Sequence, residues 1–253
     1  MIIDGFTFFN EYDLLDLRLK ILYDYVDLFV ITEGNRTFAG NKKPFNYKMF
    51  KGRYDWAKDK ILYQTVDLPE KGASWNREYQ QRNAIISSLN ECADDDILIM
   101  GDVDELVSRE AVIWAKSNVD KLPMVCHQAF FYYNLHSLRQ EIDPNSIIST
   151  LAEARRILPQ GLRGKRGILP PIPVKSGWHC SYFGGETNIR EKIQSFSHQE
   201  LNIPRYISNE HIGRCIRDNK DLFDRGTKFT TVDESFFPQY FVDLARECNV
   251  GKF

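Results

Sequence analysis

Residues 97–105 read Ile97-Leu98-Ile99-Met100-Gly101-Asp102-Val103-Asp104-Glu105, an apolar run that passes directly into an acidic cluster. A strand that is apolar on both faces belongs inside a covered, mostly parallel sheet, and such sheets bind ligands at the carboxyl ends of their strands. The acids therefore stand where a site is expected. Asp102 and Asp104 are two residues apart, so in an extended segment both side chains leave one face and can converge on a hard cation, which prefers oxygen donors. Acids equally suit the first turn of a helix starting near Ser108, and these residues alone leave both readings open.

Upstream, residues 2–8, 10–25 and 28–32 read as strand, helix, strand. Asn10 can cap the helix, Glu11 and Asp13 sit in its first turn, and Leu14, Arg18, Ile21, Leu22 and Tyr25 follow helical spacing. The second strand ends at Glu33-Gly34-Asn35-Arg36, a polar cluster that can grip a nucleotide or form an ordinary turn. Residues 34–58 carry Gly40, Pro44, Gly52 and many lysines and read as a loop with one short helix, followed by a strand at 61–66. A helix over about 74–89 then sets Arg77, Arg82 and Asn83 ahead of the acidic strand, either as a solvated face or as groups that neutralise phosphate.

Downstream, residues 111–117 can be helical, and 124–134 form an aromatic strand whose Tyr132 and Tyr133 suit either the core or stacking on sugar rings. Arg155, Arg156, Arg163, Lys165 and Arg166, interleaved with Gly161, Gly164 and Gly167, read as a surface turn or as a loop able to close over a diphosphate. Alternation over 174–183 puts Trp178, Cys180 and Tyr182 on one face and Lys175, His179 and Ser181 on the other. Gly184-Gly185-Glu186 opens a helix over about 187–199, with Glu186 a site carboxylate or merely a favourable helix-entry charge. Two further helices, near 207–218 and 238–248, complete the chain, which shows no internal repeat or linker.

Composition narrows the function class. A chain of 253 residues can bury one large α/β core, and one domain over 1–253 is expected. A formal net charge of −2 supplies no basic field for a phosphate backbone, so nucleic acid is not an expected partner. Cysteines at 92, 126, 180, 215 and 248 form no C-x-x-C pair and are odd in number, which suits a reducing compartment. No basic n-region with an apolar stretch opens the chain and no apolar run is long enough to cross a bilayer, so a cytoplasmic protein without a transmembrane segment is expected.

The order of these parts resembles a GT-A-type nucleotide-sugar glycosyltransferase. More narrowly, Asp4-Gly5-Phe6-Thr7-Phe8-Phe9-Asn10-Glu11, Phe29-Val30-Ile31-Thr32-Glu33-Gly34-Asn35, Gly101-Asp102-Val103-Asp104-Glu105 and Gly177-Trp178-His179-Cys180-Ser181 are similar to glycosyltransferase family 17. The resemblance implies a Rossmann-like GT-A α/β fold, with a nucleotide-sugar half over about 1–105 and an acceptor half with the C-terminal helices over about 106–253. It implies metal-dependent, inverting transfer of a sugar, N-acetylglucosamine or a relative, from a UDP-sugar to a glycan, glycolipid or glycoprotein acceptor. On this reading Asp102, Asp104 and His179 hold Mn2+ or Mg2+, with His198 a rival to His179. Glu33, Arg82 and Asp102 contact the nucleotide. Glu186 is the base, ahead of Glu191 and Glu105, and Trp178 or Trp75 is an acceptor platform. A metal-dependent phosphoesterase and a non-catalytic sugar-binding module are the competing readings.

Overall fold

The opening βαβ unit forms as its spacing predicts, as β1 (Ile2–Thr7), α1 (Tyr12–Leu22) and β2 (Leu28–Gly34). The computed structural model describes residues 1–251. A short helix α2 (Asn46–Phe50) and a 3-10 stretch (Lys51–Lys60) lead to β3 (Ile61–Val66), and α3 (Ser74–Asn83) precedes β4 (Ile97–Asp102). Strands β3, β2, β1 and β4 are neighbours in that order and all parallel. Side-chain alternation along β4 sends Ile97 and Ile99 into one apolar layer with Phe6 and Leu15, and Leu98 and Met100 into the other with Ile3 and Ile85. Burial on both faces is why this strand carries no polar residue before Gly101.

The start of α1 departs from expectation. Its cap position is Glu11 rather than Asn10, and no side chain caps the first turn. The Glu11 carboxylate instead turns back to accept the N–H groups of Phe9 (3.3 Å) and Asn10 (3.1 Å), while the Asn10 amide donates to Glu191.

Beyond Asp102 the sheet is mixed. The elements are β5 (Glu105–Val107), α4 (Arg109–Lys116), β6 (Met124–Tyr132), β7 (Ser137–Arg139), β8 (Asp143–Thr150), α5 (Leu151–Ile157), α6 (Pro159–Gly164) and β9 (Gly177–Ser181). They are followed by α7 (Gly185–Ser195), α8 (Asn209–Arg217), β10 (Phe229–Thr231) and α9 (Gln239–Glu247). Strand β4 is parallel to β1 on one side and antiparallel to β8 on the other. The expected mostly parallel sheet therefore holds for residues 2–102 and gives way afterwards. The link from β6 to β8 contains only β7, too short for the crossover helix that parallel pairing requires. The stretch 155–167, read as a turn or loop, is largely helical.

Two pairings position the site. Strand β9 is antiparallel to β5, with Glu105 opposite His179, and parallel to β6, with Phe130 opposite His179. Gly177 has φ of 129°, and a Cβ there would lie 2.0 Å from the Leu106 carbonyl oxygen, so this ladder closes only around a glycine. Alternation along β9 holds for Trp178 and Cys180 in the core and His179 and Ser181 toward the cleft, then breaks at Tyr182. At φ of 60° Tyr182 swings into a separate apolar cluster with Tyr132, Ile189, Ile193 and Ile212. That cluster fastens α7 and α8 over the end of β6. Among the described residues no helix is long and apolar enough to cross a membrane.

Candidate active site

The carboxyl ends of β1 and β4 meet where Thr7 stands opposite Asp102, and the Thr7 hydroxyl donates to Asp102 Oδ1 at 3.0 Å. A cleft of about 970 Å³ opens there. Its wall takes residues from β1, α3, the acidic turn, β6, the α6 segment, β9 and α7.

The acidic turn is rigidly built. Arg18 of α1, fully buried, forms a two-point pair with Asp4 at 2.6 and 2.7 Å, and its remaining nitrogen donates to the carbonyls of Asp102 (3.0 Å) and Glu105 (2.7 Å). Glu105, also fully buried, accepts the Asp102 N–H and binds Arg163 through both oxygens at 2.7 and 2.6 Å. A Cβ on Gly101 would fall 2.4 Å from Ser146 Oγ and 2.7 Å from Glu105 Oε2, so this corner has no room for a larger residue.

Asp102 and Asp104 both face the cleft but do not converge. The chain turns at Val103 and Asp104 instead of staying extended, and each carboxylate meets its own cations. Asp102 accepts from Arg82 and Arg163, each at 2.9 Å. Burial works against its ionisation, but the Arg163 and Arg82 guanidiniums outweigh it and hold the carboxyl well below the usual range. Asp104 accepts from Lys192 Nζ at 2.6 Å and lies 3.7 Å from His179 Nε2. Burial again opposes the charge, and Lys192 with His179 again override it.

The expected three-donor metal cluster of Asp102, Asp104 and His179 is therefore not assembled, because two arginines occupy Asp102. No group of three or more His, Cys, Asp or Glu placed for a metal occurs among the described residues. Asp104 and His179 do form a donor pair. Two ligands 3.7 Å apart can share one divalent ion at about 2.0–2.2 Å from each, but the same Oδ2 carries the Lys192 ammonium at 2.6 Å, so an ion there requires Lys192 to give up that oxygen. His179 also stacks on Phe130 (4.0 Å, 11°), and its buried Nδ1 has no hydrogen-bond partner among the described residues. His198, the rival to His179, also lines the cleft, but it is exposed, bonded to Glu200 and set edge-on against Trp75, and among the described residues it makes no ion pair with Asp102 or Asp104.

Other expected residues fall elsewhere. Glu33 is fully buried beside the cleft rather than in it, accepting from Lys43, Asn46 N, Tyr47 N and the Tyr63 hydroxyl; it holds the 43–47 segment and has no oxygen free for a nucleotide. Glu186 does not line the cleft; its carboxylate lies against Gly213 of α8, because the α7 turn carrying it packs outward. Glu191 faces solvent beside Asn10. Trp178 is in the core against Phe241, whereas Trp75 is a cleft residue. Tyr132 lines the cleft, but Tyr133 is buried with its hydroxyl on the Lys220 carbonyl. Arg77 donates only to the carbonyls of Phe38, Pro69 and Glu70, and Asn83 accepts the Gln160 N–H. Of Arg77, Arg82 and Asn83, it is Arg82 that lines the cleft, also donating to Glu78 and Gln160.

Among the cleft residues that escaped the reading of the sequence, Lys192 and Glu11 bear most on its chemistry. Lys192 lies next to Ile193 and three residues after Ile189, both fully buried, so α7 presents it inward; that spacing was the available signal. Glu11, assigned a mere first-turn charge, lines the cleft with Oε1 3.8 Å from Lys192. Burial pushes its carboxyl above the ordinary range, Asp104 adds to that, and Lys192 only partly offsets it.

The family model described as "Glycosyltransferase family 17" matches residues 1–233. The chain is similar to the beta-1,4-mannosyl-glycoprotein 4-beta-N-acetylglucosaminyltransferases of Rattus norvegicus and Homo sapiens, at 31% identity over 124 residues in each case. Those residues are 46% of this chain and 23% of each relative, so the chain spans about a quarter of the length of the curated relatives it matches. A cytidylyltransferase structure from Francisella tularensis (2-C-methyl-D-erythritol 4-phosphate) superimposes with a TM-score of 0.39 and 12% identity, covering 75% of this chain and 96% of that one.

Proposed function

Because the chain belongs to glycosyltransferase family 17, we propose that its cleft transfers a sugar from a UDP-sugar to a hydroxyl of a glycan, glycolipid or glycoprotein, with inversion at the anomeric carbon. N-acetylglucosamine is the first choice of sugar, following the names of the relatives. The observation that carries the reading is the acidic turn at the end of β4, set in a cleft where guanidinium and ammonium groups from α3, α6 and α7 converge. Departure of UDP builds negative charge on the diphosphate, and fixed cations in a water-poor cleft stabilise that charge without reorganising.

Asp104 and His179 would hold a manganese or magnesium ion, whose remaining positions suit phosphate oxygens and water. Imidazole tilts the choice toward manganese. Such an ion supplies further charge neutralisation at the leaving diphosphate. Arg82 and Arg163, anchored on Asp102, Glu78 and Glu105, hold their positive charge in place for the same end. Lys192 carries its proton firmly, since Asp104 and Glu11 raise its pKa against the effect of burial.

Inversion requires one base to take the acceptor's proton. Glu186 stands outside the cleft, and we assign the proton to Glu11, a cleft carboxylate that among the described residues is bonded to no guanidinium and that burial pushes toward the protonated form, whereas Lys192 and His179 hold Asp104 ionised. Glu11→Gln is expected to lower kcat about 10²–10⁴-fold with UDP affinity retained, and Glu186→Gln to remain within about twofold of wild type. The reverse pattern would return the role to Glu186.

The whole reading is tested by a panel of UDP-sugars with manganese, magnesium or chelator, followed as UDP release and sugar transfer. Turnover strongest with UDP-N-acetylglucosamine and lost in chelator is expected. Turnover unchanged by chelator removes the metal from Asp104 and His179, and release of phosphate from simple phosphoesters favours hydrolysis instead.

A further inference from the structure

The cations of the cleft are nearly all matched to acids. Arg82 and Arg163 share Asp102, Glu78 and Glu105; Lys192 has Asp104; Arg36 has Glu70, Lys43 has Glu33, Arg139 has Asp143 and Arg225 has Asp221. Arg166 differs. It lines the same cleft, yet among the described residues its guanidinium makes no hydrogen bond or ion pair. It stands just past α6 between Gly164 and Gly167, at neither of which would an added Cβ meet another atom. Burial and the charge of Arg163 push its pKa down, and Glu105 and Asp102, both engaged with Arg163, only partly offset this, so the guanidinium has no carboxylate bonded to it among the described residues.

We propose that Arg166 is the anion clamp of the cleft, taking the diphosphate of the donor. This rests on the reading of the cleft as a nucleotide-sugar site and adds the group that meets the incoming charge. Arg82 and Arg163 are already bonded to carboxylates, and drawing them onto a phosphate would uncover Asp102 and Glu105. Arg166 has all five donors available, and a guanidinium matches two phosphate oxygens at once. Its glycine-flanked position lets it move toward the ligand without disturbing the acidic turn.

The experiment is calorimetric titration of wild type, Arg166→Gln and Arg166→Lys with UDP, inorganic pyrophosphate and uridine, in chelator so that only the protein's own cations are read. The expected result is a tenfold to hundredfold loss of affinity for UDP and pyrophosphate in Arg166→Gln, as for one charge-assisted contact. Arg166→Lys should show an intermediate loss, and uridine affinity should not change. Equal pyrophosphate and UDP binding in all three proteins overturns the clamp, as does an equal loss for uridine, which would signal a merely structural effect. If pyrophosphate binding depends on Arg166 while no UDP-sugar is turned over, the clamp stands and the transferase reading fails. If wild type and Arg166→Gln turn over UDP-sugar with the same kcat and KM, the reverse holds.

Discussion

Arg18→Met is expected to remove about 3–5 kcal/mol of folding stability, the scale for breaking a buried pair by deleting one partner. Arg18 and Asp4 are both inaccessible to solvent, and among the described residues no other basic side chain is bonded to Asp4, so the variant leaves a carboxylate stranded between β1 and α1. It also removes the donors that meet the Asp102 and Glu105 carbonyls. In a chain of this size such a loss lowers Tm by roughly 6–20 °C, and urea denaturation measures it directly. The double variant Asp4→Leu with Arg18→Met should recover part of the loss, since neither charge is then stranded. A single variant within 1 kcal/mol of wild type would mean that the pair does not brace the acidic turn. A variant that folds at low temperature should still show reduced transfer, because the backbone of the turn has lost its support.

Asp104→Asn is expected to cut sugar transfer by about 10²–10³, the scale for removing one fixed electrostatic contact from a water-poor site. The exchange keeps the shape and removes the charge shared by Lys192 and His179. Lys192 retains Glu11 at 3.8 Å, so the stability cost should be much smaller than that of Arg18→Met. Steady-state kinetics with UDP-N-acetylglucosamine, beside a thermal melt, separates the two effects. Transfer at the wild-type rate would take the acidic turn out of the chemistry altogether.

The first part of the fold, residues 2–102, was legible because its strands are short runs dominated by apolar residues and its first helix is amphipathic, signals that survive without tertiary information. Strand β8 was not foreseen: Asp143, Pro144, Asn145 and Ser146 open it with polar residues and a proline, and only its position between β4 and β6 makes it a strand. The site was half legible for a related reason. Residue type at a strand end located Asp102 and Asp104, and strand alternation located His179, but whether a carboxylate is available depends on what reaches it from distant segments. Glu33 is occupied by groups 10 to 30 residues away, and Asp102 by arginines 20 and 61 residues away. Glu186 and Lys192 show the same limit on a single helix. Both sit on α7, and only the way that helix leans on α8 decides that the lysine and not the glutamate points inward.

The short ladder between β5 and β9 makes chain length at this point a chemical variable. Neighbouring residues of β9 look to opposite sides, so deleting one residue from the strand would hand the cleft an indole or a thiol and bury the imidazole in oil. Laboratory libraries of indels should therefore yield active clones with changes in the loops between helices and almost none within Gly177–Ser181.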